Sequence, residues 1–477
     1  MKKFTTLMLL SALVLTACGG TAAPAADDTT AGDTTPAPET TDLAESWGIV
    51  KQDFGGAEVC IISGEHCKYE YAIEEETGDV VDDAVYARNR KVEELLNVKF
   101  SIISQANWTG TDPFYSLIRS DVQAGDSTYD IVNGLNCWTT PLVFEGIFRR
   151  LDNISSINFD HPWWVPGIAL DGSDEVYSAF SDASLSLYKD LYVMFFNQSI
   201  IEKNKMENPY DLVESGKWTL DAFLKMGREG SADLDGDGNI TVDKDQMAYV
   251  AKHAANRGFL TATGTSVIVT DEKGTPKMGG VSEQLSNVYD KLRPFFTDKK
   301  LTHVDTEPDM ILLSKPFIEG RALFLNNCLI AVEGMRDMKD DYGIAPLPKY
   351  DENQKDYLSQ IATSTSALYL PVTVEDAEML GSVMEALGFY SHTEVVPVYY
   401  ETALNVKYAR DEKVQSMLAM VRENASTNVD FSFNTIFWTN DVINAAWEDK
   451  ELASWYAGLE SKVNTTIEKY LAIDIDG

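Results

Sequence analysis

The sequence predicts an α/β fold built on mostly parallel sheet. Three observations predict it: short apolar runs fenced by glycine, amphipathic helical stretches alternating with them, and about 430 residues beyond a polar leader, enough for two domains or one large one. Strands that alternate with helices lie parallel and are covered on both faces. In such sheets a ligand sits beyond the carboxyl ends of the strands.

Met1 to Ala17 opens with Lys2 and Lys3, continues as an apolar run from Leu7 to Leu15, and leads into Cys18. This layout predicts a secretory signal over residues 1–17, too short to cross a bilayer, which takes roughly 20 apolar residues. From Gly19 to Glu45 the chain is Gly, Thr, Ala, Pro, Asp and Glu with almost no bulky apolar residue, so it cannot bury enough surface to fold. Residues 18–50 are expected to be a disordered tether.

The first strand is expected over Glu58 to Ser63, between Gly55-Gly56 and Gly64. A helix follows over Asp82 to Asn97, with Val85, Val92, Leu95 and Leu96 on one face and Arg88, Lys91 and Glu94 off it. Val98, Phe100 and Ile102 alternate as a strand. A second helix, with Tyr115, Ile118 and Val122 inward, ends near Gly125, and a third strand spans Asp130 to Asn133. The loops to inspect for a ligand are therefore Gly64 to Tyr71, Gln105 to Thr111 and Gly134 to Thr140. Further on, Leu187 to Phe196 is densely apolar, and Thr219 is placed to cap a helix that starts at Leu220. Phe317 to Leu325 reads as a helix leading into a strand, Tyr342 to Pro348 and Ala367 to Pro371 as strands, and Val374 to Leu471 as mainly helical.

With 75 acidic against 39 basic residues and a formal charge of -36, the chain excludes nucleic acid as a partner, and the charge favours a soluble monomer. After Cys18 four cysteines remain, Cys60, Cys67, Cys137 and Cys328, with no CxxC pair. Free, mostly buried thiols are expected, with a Cys60 to Cys67 disulfide as the lesser alternative. GxSxG, HExxH and P-loop motifs are absent, and the five histidines are not at metal-ligand spacing.

Several stretches together resemble the extracellular solute-binding protein family 1 of ABC importers, the group that includes the maltose-binding type. They are Phe317 to Phe324 (FIEGRALF), Asp341 to Tyr350 (DYGIAPLPKY), Pro162-Trp163-Trp164, Lys217 to Leu220, and Pro397 to Glu401 with Tyr408 to Asp411. Leu15 to Cys18 is similar to a bacterial lipobox, which implies diacylglycerol on the Cys18 thiol. The resemblance implies a two-lobed periplasmic-binding-protein-like type II fold with a hinge and an inter-lobe cleft. The N-terminal lobe would be residues 51–192 plus 350–398, and the C-terminal lobe 193–349 plus 399–477. Crossings would fall at Ala183 to Asn197, Gly343 to Thr365 and near Tyr399. It further implies a non-enzyme that captures a sugar or oligosaccharide for an ABC permease. The location would be the outer face of the cell membrane of a bacterium of Gram-positive type, held by the lipid alone.

On that frame the expected ligand-binding residues are Trp108, Asn136 and Trp138 after the second and third strands, Asp182 before the first crossing, Asn326 and Asn327 in the second lobe, and Trp438. An indole face suits the C–H face of a sugar ring, and amides and carboxylates suit its hydroxyls. Trp163 and Trp164 are expected to be structural, since adjacent side chains do not face one pocket in regular backbone, and Trp218 to anchor a helix start. No cofactor is required, but a structural Ca2+ site is expected at Asp233, Asp235, Asp237, the carbonyl of Asn239, and Asp245. Carboxylates at positions 1, 3 and 5 with Gly238 at the turn follow an EF-hand loop. Position 12 is Lys244, so the closing carboxylate is displaced to Asp245, which starts the Asp-Gln pair that ends similar loops of the family. Two alternatives stay open: a lipid-anchored glycoside-acting enzyme with paired carboxylates, and a binding protein used for sensing.

Overall fold

The structure, a computed structural model, describes residues 43–166, 175–273, 275–305, 315–335, 338–404, 412–426 and 439–472. Cys18, the signal, most of the tether and Trp438 lie outside these residues.

The first sheet grows from β1 (Ala57–Gly64), whose Val59, Ile61 and Ile62 are fully buried. It runs parallel to β2 (Val98–Gln105) on one side and to β3 (Ile131–Leu135) on the other. The sheet continues through β14 (Ser366–Tyr369), antiparallel to β3, then β5 (Ala179–Ser181) and β4 (Trp164–Pro166). The helix between β1 and β2 spans Val80–Leu96. Asp79 caps it by accepting from the amides of Val81 and Asp82, and Asn97 ends it in the left-handed region. Val85, Val92 and Leu96 face the core as their spacing predicts, while Leu95 is half-buried.

Arg88 departs from the expected polar face. It is fully buried, and its guanidinium donates to the carbonyls of Glu70 and Ala183, the Ser391 hydroxyl and the Asn89 amide oxygen. Burial pulls its pKa down to about 10.

The second sheet has the order β10 (Thr302–Asp305), β7 (Met247–Lys252), β11 (Ala322–Cys328), β6 (Tyr192–Asn197) and β12 (Tyr342–Ala345). β10, β7 and β11 are parallel, and β6 runs against both β11 and β12. Thr219 caps the helix Leu220–Glu229 by accepting from the Ala222 amide, and the fully buried Trp218 indole donates to the Pro346 carbonyl. A two-stranded hairpin, β8 (Ile268–Thr270) with β9 (Pro276–Met278), lies beside this sheet's helices.

Among the described residues, three connections join the lobes. The first runs from Asp182 through the short helix Ser186–Lys189 to β6. The second contains β13 (Ser359–Gln360), which pairs in parallel with β15 (Ala425–Ser426), and Ile361 bridges to Leu191 of the first. The third is helical throughout: Ala377–Tyr390, a π-helical turn Ser391–Val395, then Val396–Leu404.

Two expected boundaries move. Ala44 and Ile49 are buried in the first lobe's core, with a helical turn at Leu43–Ser46, so the folded body begins before residue 51. Residues 350–358 belong with the second lobe rather than the first. Gln354 donates to the Ala262 carbonyl, and the Tyr357 hydroxyl accepts from the Trp218 amide.

All four described cysteines are free; Cys60 is half-buried and the others are buried. No helix among the described residues is long and apolar enough to cross a membrane.

Candidate ligand-binding cleft

The register places the carboxyl ends of β1, β2 and β3 on one edge of the first sheet, together with the end of β5 and the start of β14. The chain leaves that edge through Ser186–Lys189 and enters the second sheet at Tyr192, beside Cys328 at the carboxyl end of β11. The ends of β7 and β10 lie on the same edge. Two sets of strand ends thus face each other across the connections, which is where an α/β sheet offers a ligand site.

On the first lobe's rim Trp108 is 62% exposed, the most exposed of the described large apolar side chains. One side of its indole meets His66, ring centroids 4.7 Å apart. His66 Nδ1 lies 2.8 Å from Asn107 Oδ1, and Asn107 in turn fills the space against Gly64 where a Cβ would clash. Burial lowers the His66 pKa, the bond to Asn107 opposing it. Tyr115 fixes the same loop by donating to the Asn107 carbonyl at 2.6 Å. Trp138 packs flat enough on the Gly110 backbone that a Cβ there would come within 2.9 Å of the ring.

At the floor, Lys189 forms an ion pair with Glu333 of the second lobe at 3.0 Å and lies 4.3 Å over the Tyr69 ring. Beside it, burial first and the Glu70 charge second push the Asp190 carboxyl up to about 7. Glu70 itself is fully buried under the strand ends and accepts from Asn133, the Ser186 amide and Ser366, each at 2.7 Å. The second lobe's rim carries two ion pairs, Lys252 with Asp305 at 3.2 Å and Arg257 with Asp441 at 2.6 Å.

The expected site residues divide. Trp108 and Trp138 stand on the cleft rim, Trp108 open to solvent and Trp138 half-buried. Asn136 is fully buried one layer below, where its Oδ1 accepts from Thr140 and Tyr369, because the stretch after β3 is a helix (Asn136–Val143) and not a loop. Asn326 points into the second lobe's core and donates to the Tyr249 hydroxyl and the Ala255 carbonyl. Asn327 is buried with its Oδ1 on the Cys328 amide. Asp182 has no exposed side-chain surface, and both oxygens are taken, by Arg422 at 2.9 Å and His392 at 2.6 Å. Asn136, Asp182, Asn326 and Asn327 therefore shape the cleft from beneath instead of lining it.

His66, Asn107, Lys189 and Asp190 were not singled out from sequence. Asn107 sits next to Trp108 inside an inspected loop, and Lys189-Asp190 interrupts the apolar stretch at the crossing. Both signals are present in the sequence.

At the acidic loop, carboxylate oxygens of Asp233, Asp235 and Asp237 lie within 4.8 Å of one another. The backbone folds around them: Asp233 accepts from the amides of Gly236 and Gly238, both at positive φ, and Asp237 from that of Asn239. Asp245 is buried and braces the loop through the amides of Leu234 and Thr241. Three hard oxygens at this separation fit a hard cation, although Lys244 Nζ lies 3.1 Å from Asp235.

A separate cavity of about 320 Å³ lies at the pole of the first lobe away from the cleft, between Arg149, Tyr177 and Glu378. Glu378 is occupied there by Ser155 and Ser156, and Arg150 by Asp152 and Glu175.

No protein-family model matches the sequence, and no curated protein does either. Solved structures do match. UspC of M. tuberculosis superposes with a TM-score of 0.56 at 13% identity, over 86% of this chain and 99% of that one. A cyclo/maltodextrin-binding protein complexed with maltotetraose gives 0.54 at 12%, over 86% and 97%. An ABC transporter solute-binding protein from Agrobacterium radiobacter K84, in complex with ribitol, gives 0.53 at 10%, over 86% and 99%. At these identities the likeness establishes the fold: the chain shares the two-lobed α/β architecture of these structures.

Proposed function

We propose that this chain is a substrate-binding protein that captures a sugar or oligosaccharide in the cleft between its lobes and delivers it to an ABC importer permease. The observation that carries the reading is the Trp108 indole, exposed on the rim where the two sets of strand ends meet and braced from behind by His66 and Asn107. A solvated indole on a rigid mount is a stacking surface for the C–H face of a sugar ring, and the polar groups around the floor suit hydroxyls. The maltotetraose and ribitol complexes among structures of the same fold support it. Closure of the lobes follows the hinge motion of two-lobed binders: a ligand shifts the open to closed equilibrium by its preference for the closed form.

A thermal-shift series with maltotriose, maltose and ribitol tests the reading. A probe at a hundred times its dissociation constant adds about 2.7 kcal/mol of stability. Trp108→Ala is expected to weaken a responding sugar by about tenfold or more, or about 1.4 kcal/mol, while the ligand-free melting temperature stays unchanged. A panel of mono- and oligosaccharides without any shift would remove the sugar assignment.

Two further parts of the proposal have their own tests. Lipid at Cys18 predicts that the protein partitions into detergent and that Cys18→Ser returns it to the aqueous phase. A structural Ca2+ at Asp233, Asp235 and Asp237, with the Asn239 carbonyl and Asp245, predicts calcium-dependent stabilisation in calorimetry of chelator-treated protein. Asp235→Asn should abolish it; an unchanged melt on calcium addition would retire the site.

A further inference from the structure

The helix Glu412–Glu423 is fastened at its two ends to different lobes. At its start Lys413 pairs with Asp211 of the second lobe at 2.9 Å, and its body packs beside β12. At its end Arg422 leaves that lobe. Its Nη2 donates to Asp182 at 2.9 Å and approaches the Pro162 carbonyl at 3.5 Å, and its guanidinium lies 5.5 Å over the ring of Tyr188. Pro162 and Asp182 belong to the first lobe, and Tyr188 to the first connection, which leaves that lobe at Asp182. Asp182 stands just past the carboxyl end of β5, on the cleft edge of the sheet.

The geometry points to a clasp: the Arg422 to Asp182 ion pair holds the two lobes together on the cleft side and sets how far they part when no ligand is bound. Asp182 has no exposed side-chain surface, and Arg422 keeps only 17%. A carboxylate so enclosed is stable only while its partners remain. Separating the lobes removes Arg422 from the carboxylate, and the Coulomb attraction lost in a poorly solvated site opposes opening, offset in part by rehydration of both groups. His392, on the π-helical turn of the third connection, holds the other Asp182 oxygen at 2.6 Å and is 40% exposed. It orients the carboxylate toward Arg422 and acts as a positioning residue.

The clasp deepens the proposed capture mechanism, resting on it for purpose, but the test reads lobe separation without any ligand. Spin labels on Val80→Cys in the first lobe and Val281→Cys in the second, both exposed positions, report the inter-lobe distance of the full chain by pulsed electron resonance. Arg422→Gln is expected to move the distribution to longer distances, His392→Gln to move it part of the way, and Arg422→Lys to restore it. Melting curves run in parallel. If Arg422→Gln lowers the melting temperature and leaves the distance distribution in place, the pair is a packing feature and the clasp is wrong. His392→Gln, at the more exposed member, decides the matter if Arg422→Gln does not fold: an unchanged distribution there also overturns it. A chain that binds no sugar yet opens on Arg422→Gln keeps the clasp and loses only the sugar reading.

Discussion

Trp163 and Trp164 both donate their indole N–H to one carboxylate, Glu385, at 2.8 and 3.0 Å, and His161 Nδ1 and the Asn158 amide meet it as well. Alternation forbids two adjacent side chains from facing one pocket in regular strand. Here the irregular entry to β4 lets both indole edges reach a group that is only 3% exposed. Glu385→Ala strands two buried indole donors at about 1–3 kcal/mol each, so urea unfolding should register a loss of about 3 kcal/mol or more. The sequence showed the tryptophans as structural, but not their acceptor, because Glu385 lies more than two hundred residues away. Asp190 supports a second prediction. Its folded pKa, about 7, lies above the ordinary 3.8, so between these values the native state holds the extra proton and stability falls as pH rises, levelling above pH 7. Asp190→Asn should therefore leave the melting temperature little changed near about pH 4 and raise it near about pH 8 relative to the parent chain; equal offsets at both ends would refute the assignment.

Among the elements, the sequence was most legible where local chemistry and periodicity agree. The helix Val80–Leu96, the strands on either side of it and the Thr219 cap stand where pattern puts them. Thr219→Ala, which removes the acceptor for the Ala222 amide, should cost about 1 kcal/mol in thermal or urea unfolding. Legibility ended where tertiary partners override pattern. Arg88 reads as solvent-facing by type but is held by the carbonyls of Glu70 and Ala183 and the Ser391 hydroxyl, from three separate segments, and by the side chain of neighbouring Asn89. β4 and β5 are three residues each, too short to show a period. The helix starting at Asn136 contains Pro141 and carries no side-chain cap, so its sequence reads as loop, and the amide expected to face a ligand is turned inward with it.

At the scale of the whole molecule the two-lobed plan followed from the order of motifs along the chain, and the positions of the crossings followed less well. Residues 350–358 look like the start of the return to the first lobe, yet Gln354 and Tyr357 bind them to the second, and only Ser359 onward crosses. No local pattern distinguishes a residue that has crossed from one about to. The candidate site was half legible for the same reason. Trp108 and Trp138 could be placed from strand ends alone, whereas Asp190 and Arg422 acquire their meaning only when distant segments meet, Asp190 beside Glu70 and Ser364 and Arg422 against Asp182.

The four described thiols, spread over both halves of the molecule, share one condition. Burial lifts Cys60 to about 11 and Cys137 to about 12, and takes Cys67 and Cys328 well above their usual value. Since the thiolate is the reactive species, almost none is present at neutral pH, and a peroxide-rich or disulfide-rich medium finds little to attack. These thiols are thus kept unreactive by shielding rather than by cross-linking, and dithiothreitol should leave the melting curve where it was.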